Sequence, residues 1–570
     1  MRNKLTLFSV PLWAAVFAVS VFVGCKDDDN DGNQETPIQT ETGFSVSTTT
    51  LSFPKTGGSQ SFTVESSQDV LVMPTVNWIV VTKNSDGSYT VTVRLYEGTA
   101  NRTGEISVLS GNNSETITVT QAFSAMQTVN IAGGESSFQT DVEKVDGCTL
   151  IIDALWIKET ADGFNAAANN TDRERKGLII YKYSTTSDTV CIVQAAGKEG
   201  VVTLSSSAMD LAAQMYPAWN LGNTMEGNGS GLNCETFWQP TKTSQKIIDY
   251  VKSLGFRAVR IPCSWYIHCD KNDNYKIKAD WMSRVKEVVD YCINDGLYVE
   301  LNDHWDSGWL EEFGFSSSTS SYTSVANDEE YINGKIDILK KLWTQIATEF
   351  KDYDYHLIFA GLNEPFQNYN LFNGRSEELT PILLKYNQAF VDAVRATGGN
   401  NSERCLAVQG PATNISYTLS SGFTMPVDVT ENKLMVEVHY YDPYNFTLNT
   451  DAGYTTTWNS ESSVKNSFSQ MRKKFSDNGI PVLIGEYGAN WRTVSSQDKH
   501  DASIKAFYKA INKWGPANGM IPFAWDINYC PDVRGTKGTM TIVNRAKLSI
   551  YSNVAYRGVI EGSDATVWMQ

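Results

Sequence analysis

Histidine is scarce in this chain, five residues in 570, and the nine cysteines include no Cys-x-x-Cys pair. Without clustered soft ligands, no metal site or other cofactor is expected. Excess positive charge is also missing: 47 Lys and Arg stand against 64 Asp and Glu, a net charge of −17. Nucleic acid and anionic membrane surfaces repel such a chain, so neither is an expected partner, whereas a neutral polymer is not repelled. Aromatic surface, by contrast, is plentiful. Fifteen Trp and 26 Tyr supply flat apolar faces with polar tips, on which sugar rings can stack, although most such residues belong to cores. The length suggests about three domains.

The first 25 residues read as an export signal rather than as fold. Arg2 and Lys4 precede an apolar run from Leu5 to Val23, which ends in Phe22-Val23-Gly24-Cys25. A run of this length could also span a membrane. A cysteine at the cleavage point resembles a bacterial lipoprotein signal, in which Cys25 becomes the lipidated N-terminus. Lys26-Asp27-Asp28-Asp29 resembles the short acidic signal that sends lipoproteins of the Bacteroidetes to the outer cell surface. The resemblance implies lipid anchoring in the outer membrane, facing outward. Residues 26–42 are polar and aperiodic, as in a flexible tether. Disulfides are allowed in that compartment, and Cys148 and Cys191 are a candidate pair, with free buried thiols as the alternative.

Residues 43–123 alternate β-branched and polar residues between Gly and Asn clusters, the pattern of a small sandwich. The pattern returns in 124–200. Gly57-Gly58-Ser59-Gln60-Ser61-Phe62 is matched by Gly133-Gly134-Glu135-Ser136-Ser137-Phe138, and Trp78-Ile79 by Trp156-Ile157. Arg102-Thr103-Gly104-Glu105-Ile106 is matched by Arg175-Lys176-Gly177-Leu178-Ile179, and Val119-Thr120-Gln121-Ala122 by Ile192-Val193-Gln194-Ala195. Four anchors in one order, about 75 residues apart, mark a duplication. Both copies resemble BACON domains, immunoglobulin-like modules whose name implies carbohydrate binding. Trp78 and Trp156 each adjoin an apolar residue at the same place in the repeat. That suits a core tryptophan better than a sugar platform, so a spacer role is expected.

From residue 205 to 570 the pattern changes. Eight short apolar runs, from Ala218-Trp219-Asn220-Leu221 to Ile521-Pro522-Phe523-Ala524, alternate with amphipathic stretches such as Trp281–Asn294, where Val285, Val288, Val289 and Cys292 share a face. The expected fold class is α/β: a (β/α)8 TIM barrel preceded by two immunoglobulin-like β-sandwiches. Its active site belongs at the C-terminal strand ends. Polar residues gather there. Arg260 ends strand two, Asn302 and His304 follow strand three, and Asn363 and Glu364 follow strand four. His439 and Tyr441 follow strand six, Glu486 follows strand seven, and Trp525 follows strand eight.

These segments resemble glycoside hydrolase family 5, and most closely its subfamily 4. The resemblance is carried by Trp219-Asn220-Leu221-Gly222-Asn223-Thr224, Gly255-Phe256-Arg257-Ala258-Val259-Arg260-Ile261-Pro262, Leu362-Asn363-Glu364-Pro365, His439-Tyr440-Tyr441-Asp442-Pro443 and Ile484-Gly485-Glu486-Tyr487-Gly488. It implies a retaining endo-β-1,4-glucanase acting on cellulose-like, mixed-linkage or xyloglucan chains, with Glu364 as acid/base and Glu486 as nucleophile. It further implies that Asn363 holds the sugar 2-hydroxyl, that Arg260 and Tyr441 align Glu486, and that His439 bonds near Glu364. Asn302, His304 and Trp525 would line the reacting sugar's subsite. One departure stands out. Where the family commonly shows two adjacent histidines, this chain has His304-Trp305, so Trp305 joins the substrate-binding set and leaves the choice of polymer open. Trp238, Trp265 and Trp309 are further candidate platforms. An endo-β-1,4-mannanase and a non-catalytic surface glycan-binding protein are the alternatives, and a monomer is expected.

Overall fold

The structure is a computed structural model and describes residues 43–569 apart from 54–56, 77, 94–100, 112, 122–126, 143–147, 170–173, 183–186, 198–201, 312–326, 368–371 and 529–537. The export signal, Cys25 and the tether lie outside the described residues.

Two sandwiches share one topology. In the first, Thr50–Phe53 runs parallel to Asn113–Gln121, followed in the sheet by Arg102–Ser110 and Leu71–Pro74. A second sheet is built from Gly58–Phe62, Tyr89–Val93 and Ile79–Lys83. In the second sandwich, Gln127–Ile131 runs parallel to Ser187–Gln194, followed by Arg175–Lys182 and Thr149–Ile152. Its other sheet holds Ser136–Phe138, Gly163–Ala166 and Ile157–Thr160. The repeated motif is a packing device. Arg102 sits 4.2 Å over the Trp78 ring and donates to Gln121 Oε1 at 2.6 and 3.0 Å. Arg175 sits 4.4 Å over Trp156 and donates to Gln194 at 2.7 Å. The neighbouring glycine has no room for a side chain: a Cβ at Gly104 would stand 2.5 Å from Val76 and 2.9 Å from Trp78, and one at Gly177 would stand 2.6 Å from Ala154 and 3.0 Å from Trp156. Trp156 is buried and Trp78 half-buried; the Trp156 indole also donates to Asp564 O of the barrel's C-terminal helix at 3.4 Å.

Cys148 and Cys191 are free thiols, which corrects the candidate disulfide. The strand that Cys148 leads into pairs with Arg175–Lys182, which lies between it and the strand of Cys191. A full strand therefore separates the two cysteines. Two inter-strand spacings come to roughly 9.5 Å, beyond the ~7 Å Cα limit for bridging.

Eight parallel strands close the barrel in chain order: Ala218–Asn220, Ala258–Ile261, Tyr298–Asn302, Leu357–Ala360, Leu406–Asn414, Leu434–Tyr440, Val482–Tyr487 and Met520–Ala524. Nearly all their residues are buried, as expected for parallel strands covered by helices. Side chains alternate inward and outward along each strand. Outward residues such as Val259, Val299 and Val436 pack on the helices. Inward residues begin apolar, with Ala218, Ala258, Tyr298, Ala407 and Met435 sealing the N-terminal end. Two residues further on, the same inward face carries Asn220, Arg260, Glu300, Gln409 and Glu437, all fully buried. A short helix, Ala208–Ala212, closes the bottom. It is fixed by a capping box in which Ser207 and Asp210 bond each other's backbone.

The second sandwich and the barrel form one compact unit, separate from the first sandwich. Asp153 is ion-paired with Lys509 and Lys513 of the last long barrel helix. Leu155 N–H donates to Ala565 O at 3.0 Å, and Val567 joins the sandwich core.

Candidate active site

The polar layer meets around Arg260. Its NH1 donates to Glu486 Oε1 at 3.0 Å and to Asn220 Oδ1 at 3.2 Å. Its NH2 donates to Asn363 Oδ1 at 2.7 Å, and its Nε faces Glu300 at 3.0 Å and Glu437 at 3.1 Å. Five planar donors in a fixed fork suit this task, since an ammonium could not hold so many partners at fixed angles. Tyr441 O–H donates to the other oxygen of Glu486 at 2.9 Å. His439 Nδ1 lies 2.7 Å from Glu364 Oε1 and 3.7 Å from Glu486 Oε2.

Donor atoms of Glu364, His439 and Glu486 all fall within 4.8 Å of one another, the one such group of potential ligands among the described residues. Their bonds are already committed: both Glu486 oxygens to Arg260 and Tyr441, and His439 to Glu364. The trio is therefore arranged around protons. That spacing belongs to carboxyl pairs about 5–5.5 Å apart, which leave no room for a water between carboxylate and sugar.

The two carboxyls differ in surroundings, as two roles require. Glu486 is buried, whereas the Glu364 side chain is about one-third exposed. Burial pushes the Glu486 carboxyl up, with Glu364 adding to the rise and His439, Arg260 and the Tyr441 hydroxyl opposing it. Burial would lower His439, but Glu486, Glu364 and Glu437 together raise it to about 10. His304 is held well below its usual value by desolvation and by the nearby charges of Arg260 and His439. Burial and the neighbouring carboxylates keep the Tyr441 phenol well above its usual range, so it remains a donor.

All the polar residues expected at strand ends come together. Three lie deeper than expected, and the first of them, Asn302, is the last residue of strand three. His439 and Glu486 are inside strands six and seven rather than beyond them, because the pairing shifts register there. Val438 pairs with Ile484 but His439 pairs with Glu486, leaving Gly485 as an extra residue. Such a bulge re-aims a side chain, here Glu486 toward Arg260. A Cβ at Gly485 would lie 1.9 Å from Glu437 Oε1, so only glycine fits. Asn302 accepts from Cys263 N–H at 3.1 Å and sits 3.3 Å from His304 Nδ1. His304 and Trp525 lie parallel, with ring centroids 6.0 Å apart.

The tryptophans divide. Trp305 is 41% exposed and lines a cavity of about 200 Å³ beside Asn363 and Glu364. Trp265 is fully buried and donates to Asn302 O, so it is core and not a platform. Trp309 is also buried, stacked on Tyr266 with its indole N–H 3.3 Å from Asp303. Trp238 is half-buried beside Phe237. On the other side of Glu364 a second cleft is lined by Asn414, Tyr441, Tyr444, Glu486 and Trp525.

Sequence reasoning missed Asn220, Glu300, Gln409 and Glu437. A signal was present: Tyr298-Val299-Glu300-Leu301 and Met435-Val436-Glu437-Val438 each place a carboxylate inside an apolar strand, where only a paired charge survives burial.

Comparison with known proteins gives consistent matches. Residues 222–530 match the cellulase family, glycosyl hydrolase family 5. Residues 67–122 match BACON, an N-terminal binding domain. Endoglucanase B of Ruminococcus albus is 38% identical over 333 residues, covering 57% of this chain and 73% of that protein. A family 5 xyloglucan-specific β-1,4-glucanase from a ruminal metagenomic library, solved with XXLG, is 52% identical with a TM-score of 0.60; the match covers 64% of this chain and 97% of that one. A Bacteroides ovatus family 5 xyloglucanase, solved with a XXXG heptasaccharide, is 25% identical with a TM-score of 0.56, covering 91% of this chain and 100% of that one.

Proposed function

The chain belongs to glycosyl hydrolase family 5, and on that premise we propose that it is a retaining endo-β-1,4-glucanase in which Glu486 attacks and Glu364 moves the proton. The observation that carries this reading is the pair itself, a buried carboxylate and a half-buried one with oxygens no more than 4.8 Å apart. Glu486, clamped by Arg260 and Tyr441, attacks the anomeric carbon while Glu364 protonates the departing oxygen. Glu364 then deprotonates the water that releases the sugar with its configuration retained. Asn363 gives its carbonyl oxygen to Arg260, which turns its amide N–H toward the sugar, where it serves the 2-hydroxyl. Trp525 and His304 offer parallel faces to the reacting ring, and Asn302 orients His304. Clefts on both sides of Glu364 suit a chain that passes through, hence cleavage within the polymer.

The polymer we propose is xyloglucan. Support comes from the 52% identity to a xyloglucan-specific enzyme and from exposed Trp305, which gives the cleft an apolar face where the subfamily pattern has a histidine. Product sizing on xyloglucan, barley β-glucan, carboxymethyl cellulose, glucomannan and xylan tests this. Release of large xyloglucan oligosaccharides alone is expected. Comparable release from all the glucans would make it a general endoglucanase, and cleavage of mannan alone would overturn the reading.

We further propose that Cys25 carries lipid, that the chain works as a monomer facing outward from the outer membrane, and that the sandwiches act as spacers. The tryptophans locked under Arg102 and Arg175 support the spacer role. Deleting residues 43–124 is then expected to leave hydrolysis of soluble xyloglucan unchanged but to reduce activity at the surface of intact cells. A tenfold rise in KM for the soluble polymer would instead assign glycan binding to that sandwich.

A further inference from the structure

Glu437 lies two residues before His439 on strand six, so both side chains point into the barrel. It is fully buried. Its Oε1 stands 3.1 Å from Arg260 Nε and 3.4 Å from His439 Nε2, and its Oε2 accepts from Gln409 Nε2. Gly485 on the neighbouring strand is shaped around that same oxygen. Arg260 in turn holds Glu486, and the other nitrogen of His439 holds Glu364. One carboxylate thus touches a residue bonded to each catalytic glutamate.

We infer that Glu437 is a positioning residue that couples the two catalytic glutamates, aligning Glu486 through Arg260 and fixing, through His439 Nε2, which imidazole nitrogen meets Glu364. This rests on the assignment of Glu364 as acid/base. A ring nitrogen that faces a carboxylate carries its proton, and the bond made by one nitrogen sets the state of the other. With Nε2–H given to Glu437, Nδ1 is the atom that shares a proton with Glu364. It accepts when Glu364 is the acid and donates when Glu364 is the carboxylate.

The charges around that pair come from every neighbouring strand. Arg260 lies on strand two, Glu300 on strand three with His304 just beyond it, Glu437 on strand six with Tyr441 just beyond it, and Glu486 on strand seven. Glu300 is hydrogen-bonded to Arg260 and acts on His439 only through space. Burial and Glu437 push Glu300 up to about 8, while Arg260 and His439 hold Glu437 below its ordinary value against its burial. Glu437 is therefore the charged member of the two, and the one that reaches the proton-sharing pair.

The test is the pH dependence of kcat/KM. The alkaline limb reports loss of the proton held at His439 Nδ1, and the neighbouring negative charge of Glu437 holds that proton on. Glu437→Gln keeps the volume and removes the charge, so His439 loses its proton at lower pH. The alkaline limb is expected to move down by about one pH unit or more, with kcat/KM falling at least about tenfold. Glu300→Gln breaks a hydrogen bond to Arg260 and none to His439, and is expected to lower kcat/KM while moving the limb much less than Glu437→Gln does. An unmoved limb in Glu437→Gln, or an equal movement in Glu300→Gln, overturns the proposal. Imidazole ¹⁵N spectra of the wild-type enzyme give an answer that survives any folding defect in the variants. Nε2 of His439 should stay protonated on both sides of the limb, and an Nε2 that loses its proton first contradicts the assignment. Failure of the Glu364 assignment would show separately, as wild-type activity in Glu364→Ala.

Discussion

Glu486→Ala lowers kcat/KM on xyloglucan by about 10⁵-fold, because no other group near the anomeric carbon can form the covalent intermediate. The loss is specific to chemistry. Arg260 keeps Glu300 and Glu437 as partners, so the site retains its charge balance, and oligosaccharide binding persists while cleavage stops. Small anions identify the missing atom. Added azide fills the space left by the carboxylate and attacks an activated aryl β-glycoside from the same face, giving an α-glycosyl azide. Recovery of activity with that product places the nucleophile at residue 486. Undiminished hydrolysis in the variant would sink the double-displacement account. Loss of oligosaccharide binding along with cleavage would make Glu486 a structural residue.

Glu364→Ala gives the second largest effect, and it depends on the leaving group. Polysaccharide hydrolysis needs a proton on the departing oxygen, and its rate falls by about 10³–10⁴-fold. An aryl glycoside whose leaving group departs without a proton still forms the glycosyl-enzyme at near-normal speed and then stalls, because the base that activates water is gone. A burst of released phenol with slow turnover is the expected time course, and azide releases the stall to give a β-glycosyl azide. Opposite anomers from the two variants separate the two roles, which depends on the difference in environment between the buried residue and the half-buried one. Equal losses on both substrates would mean that Glu364 does not transfer the proton.

The sequence reveals much of this because parallel barrel strands are buried on both faces. They appear as continuous apolar runs, as in Leu357–Ala360 and Leu406–Val408, and the residues just past them fall at one rim. What stays hidden is whatever depends on contact between distant segments. The apolar strands around Glu300 and Glu437 mark them as buried, but not the partner that makes burial tolerable, because Arg260 lies on another strand. A single extra residue at Gly485 draws Glu486 into the strand, and no local propensity marks it. Trp265 and Trp305 stand in similar strand-end loops, yet one is core and the other exposed; the difference is that the Trp265 indole reaches the Asn302 carbonyl. The joint between the second sandwich and the barrel, Asp153 against Lys509 and Lys513, is likewise made by residues remote in sequence.

The geometry of Glu364 and Glu486 makes its most direct claim about stereochemistry. Proton NMR recorded during the first minutes of hydrolysis of a xyloglucan oligosaccharide follows the new reducing end before it mutarotates. A carboxyl pair this close predicts that the β-anomer appears first and the α-anomer grows in only later. An α-anomer formed first would mean that water attacks directly, and would contradict Glu486 as a nucleophile.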